Sequence, residues 1–84
     1  MSGVIKHLLS TEKAVRMMEA ENKLTFIVEN SATKTNIKKA MQEQFKVKVV
    51  AVNTTVTPDG KKKAFIKLAP ENPALDIATQ LGAI

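Results

Sequence analysis

The chain has 84 residues, of which 13 are Lys or Arg and 8 are Asp or Glu, and it contains no cysteine. This length allows one domain over residues 1–84, and the missing cysteines exclude disulfides and thiolate metal sites. The formal net charge of +5 favours a polyanionic partner such as nucleic acid, although a basic protein without such a partner is the alternative.

The first third of the chain predicts a helix followed by a strand. Ser10 and Thr11 place hydroxyl side chains before a run of helix-forming residues, which predicts a helix over residues 11–20. The largely apolar residues 23–28 predict a strand with both faces covered. Such a strand requires helices on both sides of the sheet.

A second helix is predicted over residues 34–44. Thr33 is suited to cap its first turn, and the apolar residues of the helix form one stripe that faces a core. Lys34 and Lys38 stay outside that stripe, close to a helix start whose free N–H groups already favour phosphate. The sequence thus offers a first candidate anion-binding surface.

The second half of the chain predicts a hairpin and a short final helix. Val and Thr dominate residues 47–57 and predict the longest strand. The turn Pro58-Asp59-Gly60, whose glycine is suited to positive φ, then reverses the chain into a strand over residues 62–68. Asn72-Pro73 predicts the start of a helix over residues 74–81, with the asparagine side chain as its cap.

In this order the elements predict an α+β fold, a small, mainly antiparallel sheet of three to four strands packed with helices in a variant of the ferredoxin-like arrangement. The chain has one His, no Cys, no Tyr and no Gly-rich phosphate loop, so we predict no catalysis, no cofactor and no metal site. The apolar runs fall far short of the roughly 20 residues that cross a bilayer, so we expect no membrane insertion.

The hairpin carries the strongest basic signal. Lys61, Lys62 and Lys63 follow the turn, and Lys67 shares one strand face with Lys63 by the period of two. We predict that these lysines form a ridge that contacts phosphates; the alternative is a solvated loop that discourages edge-to-edge pairing of strands. Because Phe65 is the one aromatic residue outside the apolar stripes, we expect recognition of phosphates, sugars and RNA shape.

Four stretches of the chain resemble the ribosomal protein L23 family in its archaeal form. They are Ser10-Thr11-Glu12-Lys13-Ala14, Ala32-Thr33-Lys34, Val52-Asn53-Thr54 and Lys62-Lys63-Ala64-Phe65-Ile66-Lys67-Leu68. Spread in this order over nearly the whole chain, they are jointly specific. The short hairpin turn departs from bacterial members of the family, whose long loop reaches into the peptide exit tunnel.

The resemblance implies a structural protein of the large subunit of cytoplasmic ribosomes, bound to large-subunit rRNA beside the mouth of the exit tunnel. It also implies contact with a small helical neighbour protein and with factors that meet the nascent chain, such as the signal recognition particle, for which Glu12 occupies the matching acidic position. The RNA-binding residues that the resemblance and the basic clusters together indicate are Thr11, Lys13, Thr33, Lys34, Lys38, Asn53, Thr55, Lys61, Lys62, Lys63 and Lys67.

A hypothesis from a different class is a small interaction or ligand-sensing α+β module that dimerises through its sheet. It predicts a concentration-dependent dimer with no preference for RNA. Sedimentation of the protein with and without RNA separates the two hypotheses.

Overall fold

The computed structural model describes residues 3–82, and seven strands and helices follow one another in this part of the chain. They are β1 (Ile5–Leu8), α1 (Glu12–Glu21), β2 (Lys23–Val28), α2 (Lys34–Phe45), β3 (Val49–Val56), β4 (Lys62–Leu68) and α3 (Ala74–Gln80). Each of the six predicted elements is present, with bounds within two residues of the prediction.

β1 is a strand that the sequence did not predict. Its four residues pair antiparallel with β2 at the edge of the sheet, with Ile5 opposite Val28 and Leu8 opposite Phe26. The register shifts between Ile5 and His7, so the segment lacks the strict alternation of apolar and polar residues that marks a strand in a sequence. Pairing with β2 therefore decides the conformation of this short segment.

The sheet has four strands in the order β1-β2-β4-β3 in the described part of the chain, and every neighbouring pair is antiparallel. β2 and β4 lie in the middle, whereas β1 and β3 form the edges. The hairpin between β3 and β4 closes as predicted, with Gly60 at a φ of 84° and the backbone N–H of Thr57 donating to the carbonyl of Lys61 at 2.7 Å. This architecture confirms the predicted α+β fold.

One face of the sheet, called the inner face, packs against the helices. Leu24 and Phe26 of β2 lie opposite Ile66 and Ala64 of β4, and all four side chains are fully buried. Helices α2 and α3 add apolar side chains to the same core, and the ring centroid of Phe45 lies 6.3 Å from that of Phe26. Full burial of each large apolar side chain contributes about 1.5–3 kcal/mol, so this face supplies most of the stability.

The opposite face, called the outer face, carries three rows of residues that lie directly opposite one another on β2, β4 and β3. The rows are Lys23-Lys67-Ala51, Thr25-Phe65-Asn53 and Ile27-Lys63-Thr55. The β2 residues Thr25 and Ile27 are only 3% and 6% exposed, so β2 is buried on both faces as predicted. Leu9, Ala14 and Met17, from the segment before α1 and from α1 itself, line the cleft beside Thr25.

The predicted N-caps form at α1 and α2. The backbone N–H of Ala14 donates to Thr11 Oγ1 at 3.2 Å. Thr33 and Asn36 form a reciprocal capping box, in which each backbone N–H donates to the other side chain at 3.1 and 3.2 Å. Caps of this kind contribute about 1 kcal/mol and fix the residue at which a helix begins.

The start of α3 corrects the prediction that Asn72 caps this helix. Asn72 Oδ1 instead accepts a hydrogen bond from the backbone N–H of Lys48 at 2.8 Å, and the N-cap is Pro73. The backbone N–H of Ala74 donates to Asn22 Oδ1 at 2.7 Å.

Asn22 ends α1 in the left-handed conformation, with a φ of 55°. Its Nδ2 also donates to the carbonyl oxygens of Leu68, Ala69 and Asn72.

Candidate nucleic-acid interface

Two adjoining clefts open on the outer face, between the start of α1 and the hairpin. The first is small, ≈ 60 Å³, and is lined by Thr11 and Lys13 from the start of α1 and by Phe65 from β4. The second, ≈ 380 Å³, extends to the hairpin loop over residues 57–61. Lys63 and the segment before α1 line both clefts, so the two form one continuous depression, called the outer groove.

The outer groove brings together two parts of the chain that the sequence analysis assigned to RNA binding separately. Thr11 and Lys13 come from the start of α1, and Lys63 comes from β4. The segment before α1 is held against the sheet because the backbone N–H of Leu9 donates to the carbonyl of Thr25 at 2.9 Å. Strand pairing, rather than proximity in sequence, therefore forms this groove.

Further predicted residues extend the basic and polar surface along the hairpin strands. Asn53 and Thr55 lie on the outer face of β3, and both are exposed. Lys67 lies on the same face of β4 and is also exposed, while Lys61 lines the groove at the hairpin. Hydroxyl, amide and ammonium groups thus share one side of the sheet, and these are the groups that contact phosphates and sugars in nucleic-acid complexes.

Lys62 lies apart from the other hairpin lysines. Its register opposite Val28 places it on the inner side of the sheet, because successive strand residues point to opposite faces. Its Nζ donates to the carbonyl oxygen of Ala32 at 2.6 Å, which joins the hairpin to the loop before α2. The predicted ridge of three consecutive lysines is therefore divided between the two faces, and an RNA contact of Lys62 stays a prediction.

The predicted residues at the start of α2 form a second surface. Lys34 and Lys38 line a cleft of ≈ 180 Å³ with the β3 residues Val50 and Ala51. Thr33, which caps the helix, precedes them and is exposed. The cleft shares no lining residue with the outer groove, so the fold presents the α2 residues and the hairpin residues as separate basic surfaces.

Within residues 3–82, the lysines that line the outer groove form no ion pairs. The ion pairs formed there join Lys6 to Glu29, Arg16 to Glu12 and Lys23 to Glu21. Asp59 is the carboxylate that lines the groove. The hydroxyl of Thr57 donates to this carboxylate and lowers its pKa, and the positive charges of Lys61 and Lys63 lower the pKa further. Asp59 is therefore ionised under ordinary conditions.

Glu12, which the resemblance associates with factor docking, lies in the first turn of α1 beside the groove residues Thr11 and Lys13. Its side chain is 80% exposed, and its Oε1 accepts a hydrogen bond from Arg16 Nη2 at 2.6 Å. An exposed pair one helical turn apart contributes only about 0.3–0.5 kcal/mol, so it leaves the carboxylate open to another cationic partner.

Thr25 is a groove residue that the sequence analysis did not identify. It lines the small cleft, and its Oγ1 is a buried side-chain oxygen without a hydrogen-bond partner in the described part of the chain. An unsatisfied buried hydroxyl costs about 1–3 kcal/mol, so it is unusual in a stable fold. The available signal was a threonine at an interior position of an otherwise apolar strand.

Within residues 3–82, the side chains of His, Asp and Glu form no group of three or more that could hold a metal ion. None of the helices in this range is long and apolar enough to cross a bilayer.

Comparison with known proteins places this geometry in a family context. A family model described as ribosomal protein L23 matches residues 3–72. The large ribosomal subunit protein uL23 of Trypanosoma brucei brucei is 47% identical over 81 residues, which cover 96% of this chain and 49% of that relative. The protein of the same name from Pyrobaculum aerophilum is 46% identical over 81 residues, which cover 96% of this chain and all of that relative. The chain therefore spans about half of the trypanosome protein and the full length of the Pyrobaculum protein.

Proposed function

The chain belongs to the ribosomal protein L23 family, and from this premise we propose that it is a structural component of the large subunit of cytoplasmic ribosomes that binds large-subunit rRNA through the outer groove. Its role is to bind and pack RNA, not to catalyse a reaction. The observation that carries the proposal is the convergence of Thr11, Lys13, Lys61 and Lys63 on one groove within a chain that matches the family over residues 3–72.

The proposed mechanism is mainly electrostatic. Each lysine that neutralises a phosphate releases condensed counterions, so the logarithm of the affinity falls linearly with the logarithm of the salt concentration. The slope is about −0.9 per contact for duplex DNA, which serves as a guide for RNA helices. Groups that donate hydrogen bonds, such as Thr11, Asn53 and Thr55, add contacts with fixed geometry that set the orientation of the protein on the RNA.

The α2 surface is proposed as a second RNA contact. α2 has 12 residues, and its first turn carries no acidic residue, so the partial positive charge of its N-terminus is not opposed there. Thr33, Lys34 and Lys38 supply a hydroxyl group and two ammonium groups at this end. Because this surface is separate from the outer groove, binding at both would hold the protein between two RNA segments or two parts of one segment.

The position of the protein on the ribosome is also part of the proposal. We place it beside the mouth of the peptide exit tunnel, next to a small helical ribosomal protein, where Glu12 contributes to a docking surface for the signal recognition particle. The support for this placement is the resemblance of residues 10–14 to the family motif and the 80% exposure of the Glu12 side chain at the start of α1. The hairpin turn is short, unlike the long loop of bacterial family members, so we propose no contact with the tunnel interior through it.

Direct measurement of RNA binding tests the proposal. The purified protein is titrated with large-subunit rRNA fragments and, as the control, with an unrelated structured RNA of equal length, at several salt concentrations. We expect tighter binding to the rRNA fragments at every salt concentration, with a steep salt slope for both RNAs. Equal affinity for the two RNAs would contradict specific binding, and a stable dimer that ignores RNA in sedimentation would favour the dimerising module instead.

A further inference from the structure

The outer face places one aromatic side chain at its centre. Phe65 lies on β4, an interior strand, and is half-buried. Thr25 of β2 and Asn53 of β3 lie directly opposite it on the two neighbouring strands. Lys63 and Lys67 lie two residues before and after it on the same face. The ring is therefore surrounded by two hydrogen-bonding side chains across the sheet and by two cations along the strand.

This arrangement has the dimensions of a site for one nucleotide. A strand rises about 3.3 Å per residue, so the Cα atoms of Lys63 and Lys67 are roughly 13 Å apart, with that of Phe65 midway between them. The exposed part of an aromatic ring on a sheet accepts the face of any base by stacking, and flanking ammonium groups contact the phosphates on either side. The amide of Asn53 both donates and accepts hydrogen bonds, as the edge of a base requires.

Thr25 supplies an independent observation that points to a ligand. Its hydroxyl is buried beside Phe65 and lacks a partner in the described part of the chain. The cleft at this position holds ≈ 60 Å³, which admits a group the size of a hydroxyl or a water molecule but not a base. A base that stacks on Phe65 therefore lies on the part of the ring outside this cleft, on the side of Asn53, while a ribose hydroxyl or a base oxygen enters the cleft towards Thr25.

We infer that Phe65 is the platform for one unpaired RNA nucleotide, whose base stacks on the ring between Asn53 and Thr25 while Lys63 and Lys67 contact its flanking phosphates. This inference rests on the proposed RNA-binding function and goes beyond it, because contacts to phosphates and RNA shape do not require a base outside its helix. It adds one stacked base to the recognition of phosphates, sugars and RNA shape that the sequence predicts.

A pair of short RNA strands with equal charge tests the inference without altering the protein. One strand is abasic at every position except a central adenine, and the other is fully abasic. We expect the single adenine to increase the affinity of the wild-type protein about tenfold, since stacking of one base on an aromatic side chain changes affinity roughly 5- to 100-fold. Ring-current shifts of the Phe65 proton resonances on binding of the adenine strand would report the stacking directly.

Variants of the protein complete the experiment. Phe65→Leu should abolish the preference for the adenine strand, whereas Phe65→Tyr should retain it because the ring remains. Val56→Ala is the matched control, because Val56 is a strand residue that is 69% exposed and lies opposite Lys62 on the inner side. It should leave the preference unchanged.

The outcomes separate the inference from the proposed function. Equal affinity for the two short strands, together with a retained preference for large-subunit rRNA, would overturn the nucleotide site and leave the proposed function standing. Absence of any rRNA preference would overturn both. A preference for the adenine strand that persists in Phe65→Leu would place the base elsewhere and would overturn the role of Phe65.

Discussion

The two faces of the sheet use the same strands for different purposes. On β4, Ala64 and Ile66 of the inner face are fully buried, while Lys63 and Phe65 of the outer face are half-buried and line the groove. The inner face is apolar and closed by helices, so it determines stability. The outer face is basic, polar and only partly covered, and the hydroxyl of Thr25 on this face has no hydrogen-bond partner within residues 3–82. Because the strand period is two, one short segment contributes both to the core and to the surface that we propose binds RNA.

The largest expected effect comes from a change that breaks the inner face. Phe26→Ala removes a fully buried ring that contacts the rest of the core, and it should reduce the free energy of unfolding by about 3–5 kcal/mol. Denaturant unfolding followed by circular dichroism measures the effect. Thr55→Ala, on the outer face of β3, is the comparison and should change stability by less than about 0.5 kcal/mol. Similar losses for both variants would contradict the division between the faces.

Asn22 tests whether the end of α1, the end of β4 and the start of α3 are held together by one side chain. Asn22→Ala removes one accepted and three donated hydrogen bonds and also strains the left-handed backbone, so we expect a loss of about 2–4 kcal/mol. Asn22→Gly relieves the strain and should isolate the hydrogen-bond contribution. Asn30→Ala, which removes one exposed bond to the carbonyl of Gly60, is the control with a small expected effect.

Lys62 and Lys63 test the difference between the two faces of the sheet at adjacent positions of β4. Lys62→Ala removes the bond to Ala32 and should cost roughly 0.5–1.5 kcal/mol of stability. An unchanged salt slope of RNA binding in this variant would contradict the RNA contact that the sequence predicts for Lys62, whereas a smaller slope would support it. Lys63→Ala should leave stability nearly unchanged and reduce the magnitude of that slope by about 1. Lys48→Ala, an exposed lysine outside both basic surfaces, controls for the loss of net charge. The opposite pattern for the first two variants would show that the faces are assigned wrongly.

Glu12 tests the rim of the outer groove. Glu12→Lys reverses a charge that is exposed at the start of α1, and it should weaken binding of the signal recognition particle to ribosomes while rRNA binding stays the same or tightens slightly. Glu19→Lys makes the same charge change at another exposed position of α1 and should have a smaller effect. Co-sedimentation of the particle with ribosomes that carry each variant measures the difference. Normal binding to the Glu12→Lys ribosomes would remove Glu12 from the docking surface.

Asp59 is expected to have the smallest effect on stability, and this effect depends on pH. Its pKa lies below the ordinary value of 3.8, first because Thr57 donates to it and then because Lys61 and Lys63 are near. The folded state therefore gains stability from ionised Asp59 above that ordinary value, and the gain disappears as the pH falls through the lower folded pKa. A carboxyl titration by NMR should show the low midpoint, and Thr57→Val should raise it. An unchanged midpoint in Thr57→Val would contradict the assigned cause.

The sequence predicted most of the fold because its signals are local. Thr33 and Asn36, which cap α2, lie only three residues apart, so this signal is local. The glycine of the hairpin turn tolerates positive φ without steric strain. β1 could not be predicted, since four residues with a shifted register carry no periodicity of their own. The cap of α3 was predicted wrongly because Asn72 has the right position in the sequence, while the acceptor that is used, Asn22, lies 52 residues before Ala74.

The candidate site likewise combines features that the sequence alone shows with features that depend on the tertiary structure. The residue types, the net positive charge and the family motifs are properties of the sequence, and they were sufficient to indicate RNA as the partner and most of the residues to test. The tertiary structure alone decided that Lys63 and Thr11 share a groove and that Lys62 faces away from it. It also decided that the Thr25 hydroxyl, beside Phe65, has no hydrogen-bond partner in the part of the chain that the structure describes. The physical reason is that charge and propensity belong to single residues, whereas a groove and a missing hydrogen bond depend on how distant strands pair.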